Sequence, residues 1–514
     1  MKTIKNYLRL LLAVAILFST SCTGNFDEMN DNPNATTQVP TSLIVTQMLN
    51  FMKPGAQTGD LGKEHLLAKY MSWVENMQDV QYNRLGERSF EIYPDLANIE
   101  KMIGTTTEAS YDTYMGFGLF IKTFHLFYLS ALVGDIPYSE ALQGEQGLLK
   151  PKYDTQKEVM KQIIADLDAA YDHFNKATLS ISGDITDLNG SIDKWKRIAN
   201  LLELRVLINL SKKVSDTDLN IKAKFAEVAA RPLLESNDDN LKLTFKDASG
   251  MFSTWNVQNG FYLDYQLLSD KFIDMMKTYD DYRLFYYAEP SKYESKTNGK
   301  EANDWNAYIG VSPALQYAGL TPIASEGKAS GMNLRYKDAV GEPWSRLGYA
   351  QQCFILAEGA LREWISADLA SDYYKKGIEA GMKYTRDATA IINDDIKNFH
   401  HGREMTDVYI TDHLTKLAIQ LTGDFDSDLQ KIMEHKYIGN FMQFLGDSYL
   451  DYRRTGYPEL PINPSTNMNT MTDRLPVRYL YPQKERTANL ANLEEAINRQ
   501  YSNDDVNEVM WILK

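Results

Sequence analysis

Residues 349–365, YAQQCFILAEGALREWI, decide the fold. Ala350, Cys353, Phe354, Ala357, Leu361, Trp364 and Ile365 fall at offsets of 0, 3, 4, 7, 11, 14 and 15, one apolar stripe at the period of an α-helix. Cys353 lies on that stripe and reads as a small buried hydrophobe. Residues 370–384 repeat the pattern with Tyr373, Tyr374, Gly377, Ile378 and Tyr384. The small residues Ala357, Ala360 and Gly377 leave room for two helices to approach closely.

Two such helices in tandem resemble a tetratricopeptide-type pair, a unit that buries its faces only by stacking on its neighbours. Working outward, helices are expected over residues 41–52, 61–77, 155–175 and 193–213. The last carries Trp195, Ile198, Ala199, Leu201, Leu202, Val206, Ile208 and Leu210, apolar on most of its circumference, so it belongs between neighbours. Residues 115–133 are rich in Phe and Leu, but Lys122, Thr123, His125 and Ser130 interrupt the run and Gly116 and Gly118 weaken it. That is a core helix rather than a membrane span. Over 235–346, 392–403 and 458–478 the period dissolves into Gly, Asn, Ser and aromatic residues. Such stretches exceed ordinary loop lengths and mark function or local decoration. The expectation is a mainly α protein with one domain over 41–514 and loop excursions at about 235–346 and 458–478.

The 514 residues carry 54 basic and 69 acidic side chains, a net charge of −15, with 44% apolar and 11% aromatic content. The chain is too apolar to be disordered. Its acidity argues against an electrostatic grip on nucleic acid or anionic lipid. Two cysteines, Cys22 and Cys353, build no disulfide scaffold.

Lys2, Lys5 and Arg9 precede an apolar run from Leu10 to Phe18, too short to span a bilayer, then Ser19, Thr20, Ser21 and Cys22. Residues 1–21 are an export signal. A cysteine after a small residue at the end of such a core is similar to the lipobox of bacterial lipoproteins, with acylation at Cys22; Ser19 replaces the usual Leu. Several acyl chains, at about 0.8 kcal/mol per buried methylene, anchor a protein stably without spanning. Residues 22–40 read as a polar, proline-broken tether.

The sequence has no P-loop, GxGxxG, GxSxG or HExxH. Asp424, Asp426 and Asp428 suggest a calcium loop, but Leu429 stands where glycine is required and His435 where a bidentate Glu belongs. These acids instead suit the N-terminus of a helix starting near Leu429. His400 and His401 are adjacent without ligand partners at metal spacing, so no metal site and no cofactor is expected. Trp255, Trp305 and Trp344 fall outside helical periods, beside Asn256, Gln258, Asn259 and Asn306, with Tyr262 and Tyr308 near. Flat rings next to amides suit sugars, because the ring covers the apolar face while amides bond the rim. The same rings also suit pinning long loops to a scaffold.

Several further segments carry a resemblance: 25–34 (NFDEMNDNPN), 134–141 (GDIPYSEA), 153–158 (YDTQKE) leading to 166–170, 195–200 (WKRIAN) leading to Leu204 and Arg205, 356–360 (LAEGA), 451–458 (DYRRTGYP), 475–478 (LPVR) and Tyr481-Pro482. In number, order and spacing they resemble the SusD/RagB family of nutrient-binding outer-membrane lipoproteins. The resemblance implies four tetratricopeptide-like helix pairs bearing ligand loops, a non-enzymatic protein that captures a glycan or other nutrient, and a TonB-dependent outer-membrane transporter (SusC-like) as partner. It implies lipid anchoring at the outer membrane, facing the exterior. A surface glycoside hydrolase, needing two convergent carboxylates, and a tetratricopeptide scaffold that binds only proteins are the competing readings. In the residues themselves, Arg453 and Arg454 suit forks onto buried carboxylates or helix-end carbonyls.

Overall fold

A computed structural model describes residues 39–53, 60–253, 265–444 and 446–514. Its spine is the helix Glu108–Val133, entered through a reciprocal cap in which Thr107 and Ser110 bond each other's backbone N–H. It ends at Gly134, whose φ of +104° only glycine adopts readily. Although long and apolar enough to cross a bilayer, 78% of its most apolar window is buried inside the protein. It pairs with Gln156–Lys176, capped by the Thr155 hydroxyl accepting from the Glu158 N–H at 3.2 Å. A second pair is Ile192–Asn209 with Ile221–Ala229, and a third is Tyr349–Leu361 with Ala370–Asp387.

Close approach in the third pair follows from glycine, as its sequence predicts. A Cβ on Gly377 would sit 2.9 Å from the Phe354 ring, and one on Gly359 would sit 2.3 Å from Phe225 in the second pair. Cys353 is buried, as its place on the apolar stripe predicts. Phe425–Gly439 packs across both helices of the third pair and is followed by Asp447–Thr455.

Salt bridges buried among these helices fix their relative positions. Arg454 forks onto Glu358, with Nη2 2.8 Å from Oε2, and also reaches Asp451 at 2.9 Å. Lys436 closes on Asp451 at 2.7 Å. Burial raises the Glu358 and Asp451 carboxyls, but the neighbouring cations outweigh it and hold both below their usual values. Arg453 donates to the carbonyls of Val477 and Ala131, tying the last segments to the first long helix.

Two small antiparallel ribbons attach the excursions to this scaffold. Met71–Trp73 pairs with Gln266–Leu268, Met71 opposite Leu268, and Leu241–Leu243 pairs with Trp344–Leu347. The first corrects the helix expected over 61–77. That helix runs Asp60–Leu67, Lys69 turns the chain with φ +61°, and Met71 to Trp73, buried on both faces, become strand. Between 235 and 346 there is more regular structure than the pattern suggests, including Asp270–Tyr279, whose Phe272, Ile273, Met276 and Tyr279 form a short helical stripe. Residues 458–478 contain no helix or strand. The acidic triplet also shifts: its helix starts at Phe425, the Asp424 carboxylate accepts from the Ser427 N–H at 2.9 Å, and Asp428 accepts from Thr422 and Gly423.

Candidate ligand-binding site

The excursion bearing Trp305 is built on the short helix Arg283–Tyr287. Asp304 caps the turn Trp305–Ala307, accepting from the backbone N–H of Asn306 at 2.9 Å and from its side-chain amide at 3.1 Å. Lys300 donates to the Asn306 carbonyl at 3.0 Å. The half-buried Trp305 ring stands edge-on to Phe285 at 4.8 Å and tilts against Tyr282 at 6.0 Å. Tyr282 in turn stacks on Tyr409 at 3.8 Å. Arg403 lies 5.4 Å over Tyr282, donates to its hydroxyl at 2.9 Å, and reaches the Asn303 carbonyl at 3.0 Å. The result is an indole held from beneath by other rings, with the exposed Asn306 amide and the Asp304 carboxylate beside it.

Two of the other residues singled out from the sequence lie elsewhere. Tyr308 is fully buried, edge-on to Phe285, its hydroxyl donating to the Ala302 carbonyl at 2.8 Å. Burial raises its pKa. Trp344 is 3% exposed in its strand, with the Arg346 guanidinium 5.1 Å over the ring. Neither presents a ring face to solvent; they hold loops in place, which is the other use of such residues. Cys22, Trp255, Asn256, Gln258, Asn259 and Tyr262 lie outside the described residues.

A cleft that the sequence did not announce opens between the first helical segment, the loop at 88–92 and the long helix. It encloses about 250 Å³ and is lined by Phe51, Glu64, Arg88, Phe124, His125, Tyr128 and Arg346 among others. Arg346 donates to the Phe51 carbonyl and lies 5.7 Å over that ring. His125 stands edge-on to Phe51 at 4.8 Å and to Phe124 at 5.4 Å. Burial first, then the charges of Arg346 and Arg88, push its pKa down to about 3, so the imidazole is neutral. Tyr128 is committed below, donating to Asp447 at 2.8 Å. The signal available in the sequence was His125 itself, a polar residue interrupting an apolar helix.

Several buried carboxyls among the described residues are paired with arginines. Burial lifts four carboxyls above their usual values: Asp135 to about 6, Glu203 to about 8, and Glu342 and Asp447. Each faces an arginine, Arg499 at 2.6 Å, Arg231 at 2.9 Å, Arg335 at 2.9 Å and Arg205 at 2.8 Å respectively, a structural arrangement rather than an acid–base pair in a cleft. Asp281, His413 and His435 converge within 4.8 Å, all buried. Arg283 forks onto Asp281 with Nε 3.0 Å from Oδ2, so the carboxylate is already neutralised and a cation there would face a guanidinium.

A family model described as "SusD-like_2: Starch-binding associating with outer membrane" matches residues 33–482, and the chain belongs to that family. A crystal structure of a SusD homologue from Bacteroides fragilis superimposes with a TM-score of 0.88 at 44% identity, covering 93% of this chain and 100% of that one. A Bacteroides vulgatus protein, described in words that tie it to the outer membrane and to nutrient binding, has a TM-score of 0.81 at 26% identity over 93% of this chain and 100% of its own. A chitin-binding SusD homologue from Flavobacterium johnsoniae shares the fold, at 0.69 and 20% identity over 92% and 98%. No functionally curated protein matches the chain. The mainly helical, tetratricopeptide-like scaffold is that of the family, whose members bind rather than catalyse.

Proposed function

We propose that the protein is a lipid-anchored receptor on the cell exterior that captures an oligosaccharide on its loop face and delivers it to a SusC-like, TonB-dependent outer-membrane transporter. The observation that carries the binding part is Trp305, an indole backed by Phe285 and Tyr282, with Asn306 and Asp304 at its rim. An aromatic surface with a few placed polar groups is what a sugar needs, apolar on its faces and hydroxylated at its edges. The names of related proteins, one starch-binding family and one chitin-binding homologue, favour carbohydrate over other nutrients. Trp255, Asn256, Gln258, Asn259 and Tyr262 belong to the same excursion in sequence and are proposed to extend this surface. The sequence from Lys2 to Cys22 supports the anchor.

Glycan-array screening followed by calorimetry on the mature protein tests the reading. A carbohydrate hit is expected, weakened at least tenfold by Trp305→Ala; unchanged affinity removes Trp305 from the site. A fatty-acid probe should label the protein in cells and fail to label Cys22→Ser, and co-purification should bring down an outer-membrane transporter.

A further inference from the structure

We infer that the cleft between Phe51, Arg88 and His125 takes the carboxylate-bearing ring of an acidic sugar, such as a uronic acid residue. Its carboxylate assignment rests on the cleft alone; its assignment to a sugar rests on the carbohydrate reading above.

Charge is the first argument. Two guanidiniums, Arg88 and Arg346, and one carboxylate, Glu64, line a cleft whose imidazole is neutral, a local excess of one positive charge in a chain of net −15. Arg346 is held by the Phe51 carbonyl, but among the described residues the Arg88 guanidinium has neither an ion pair nor a hydrogen bond. Acids are abundant on this protein, and Arg205, Arg231, Arg335, Arg454 and Arg478 in its interior each face one. A partly buried guanidinium left over at a concavity is a fork awaiting a planar anion, and a carboxylate matches it with two parallel hydrogen bonds.

Shape supplies the rest. Phe51, Phe124 and Ile92 form apolar walls, while the His125 ring, without a hydrogen-bond partner among the described residues, offers one donor and one acceptor to hydroxyls. At about 250 Å³ the cleft falls below the roughly 300–1,000 Å³ of drug-sized sites, so it suits one ring rather than a chain of them. It lies apart in sequence and in lining from Trp305, and would read the terminal residue of a glycan or a free sugar acid.

Calorimetry on the full mature protein with D-glucuronate, D-glucose, galactose 6-sulfate and cyclohexanecarboxylate tests this. Glucuronate should bind, glucose at least tenfold more weakly, and affinity should fall as salt rises. Arg88→Gln should lose about tenfold or more of the glucuronate affinity, the scale of a charge-assisted hydrogen bond. Ile92→Trp, which fills the cleft and leaves Arg88 in place, should lose it too. A thermal melt shows that both variants are folded. Equal binding of glucose and glucuronate, or glucuronate binding indifferent to both variants, overturns the proposal. Tighter binding of the sulfate overturns the carboxylate assignment. Cyclohexanecarboxylate binding as tightly as glucuronate overturns the sugar part alone and leaves the loop-face reading to its own test.

Discussion

The helical scaffold and the loop excursions are held together by different chemistry. In the scaffold, apolar stripes interlock over glycines such as Gly359 and Gly377, and the charges that are buried there meet each other, as Arg454 meets Glu358 and Asp451. In the irregular stretches of the excursions the backbone lacks helix or sheet partners, and side chains supply them. The Tyr82 hydroxyl donates to the Leu315 carbonyl and Tyr317 to Val74, both at 3.0 Å, while Thr466 donates to Ala314 at 2.8 Å. Asn333, fully buried, places its amide nitrogen 3.0, 3.2 and 2.9 Å from the carbonyls of Phe285, Ala288 and Phe399. The lesson is that an abundance of tyrosine and asparagine in an irregular stretch is first a substitute for secondary structure, because every buried carbonyl needs a donor. Among the described residues, half-open rings such as Trp305 are the ones proposed for ligands.

That contrast breaks most visibly at Arg454. Arg454→Leu leaves Glu358 and Asp451 buried with one cation fewer and should cost about 3–5 kcal/mol in urea denaturation. A loss below about 1 kcal/mol would show that the helices need no ionic register. The loop counterpart is Asn333→Ala, which orphans buried carbonyls and should cost about 2–3 kcal/mol, nearly a scaffold-sized effect from an irregular segment.

A third test uses pH. Burial, reinforced by Arg283, lowers the His435 pKa from 6.5 to about 3. The unfolded chain therefore takes up a proton below about pH 6.5 that the folded protein refuses until about pH 3. The stability from this group is complete above pH 6.5 and falls as pH drops through that window, by up to about 1.4 kcal/mol per pH unit. Denaturation midpoints at pH 7.5 and 5 should differ by this contribution together with the like one of His125, so His435→Gln should shrink the difference by its own share and leave that of His125. At the small end, Asn306→Ala at the loop surface should change stability by no more than about 0.5 kcal/mol while weakening glycan binding, which separates a residue that recognises from those that hold.

Of the candidate site, the sequence made Trp305 and Asn306 legible, because a tryptophan beside amides with no helical period has no packing role that periodicity can assign. By the same signal it also marked Tyr308 and Trp344, which the fold buries, since a loop pinned inward and a loop facing outward have the same composition. It missed the Arg88 cleft entirely. Phe51, Arg88, His125 and Arg346 come from four separate segments, and an arginine without a partner looks in sequence like any other.

What the chain alone determined is whatever depends on neighbours along it: the stripe of 349–365, the small residues that let its partner approach, the export signal before Cys22, and hence a mainly helical stacked scaffold. Such features are local because a helix presents residues three and four apart on one face whatever surrounds it. Tertiary structure alone decided that residues 71–73 become strand, which aromatic rings are walled in, and which guanidinium is left without a carboxylate. Those outcomes depend on what arrives from hundreds of residues away, and burial and charge pairing are properties of position in space.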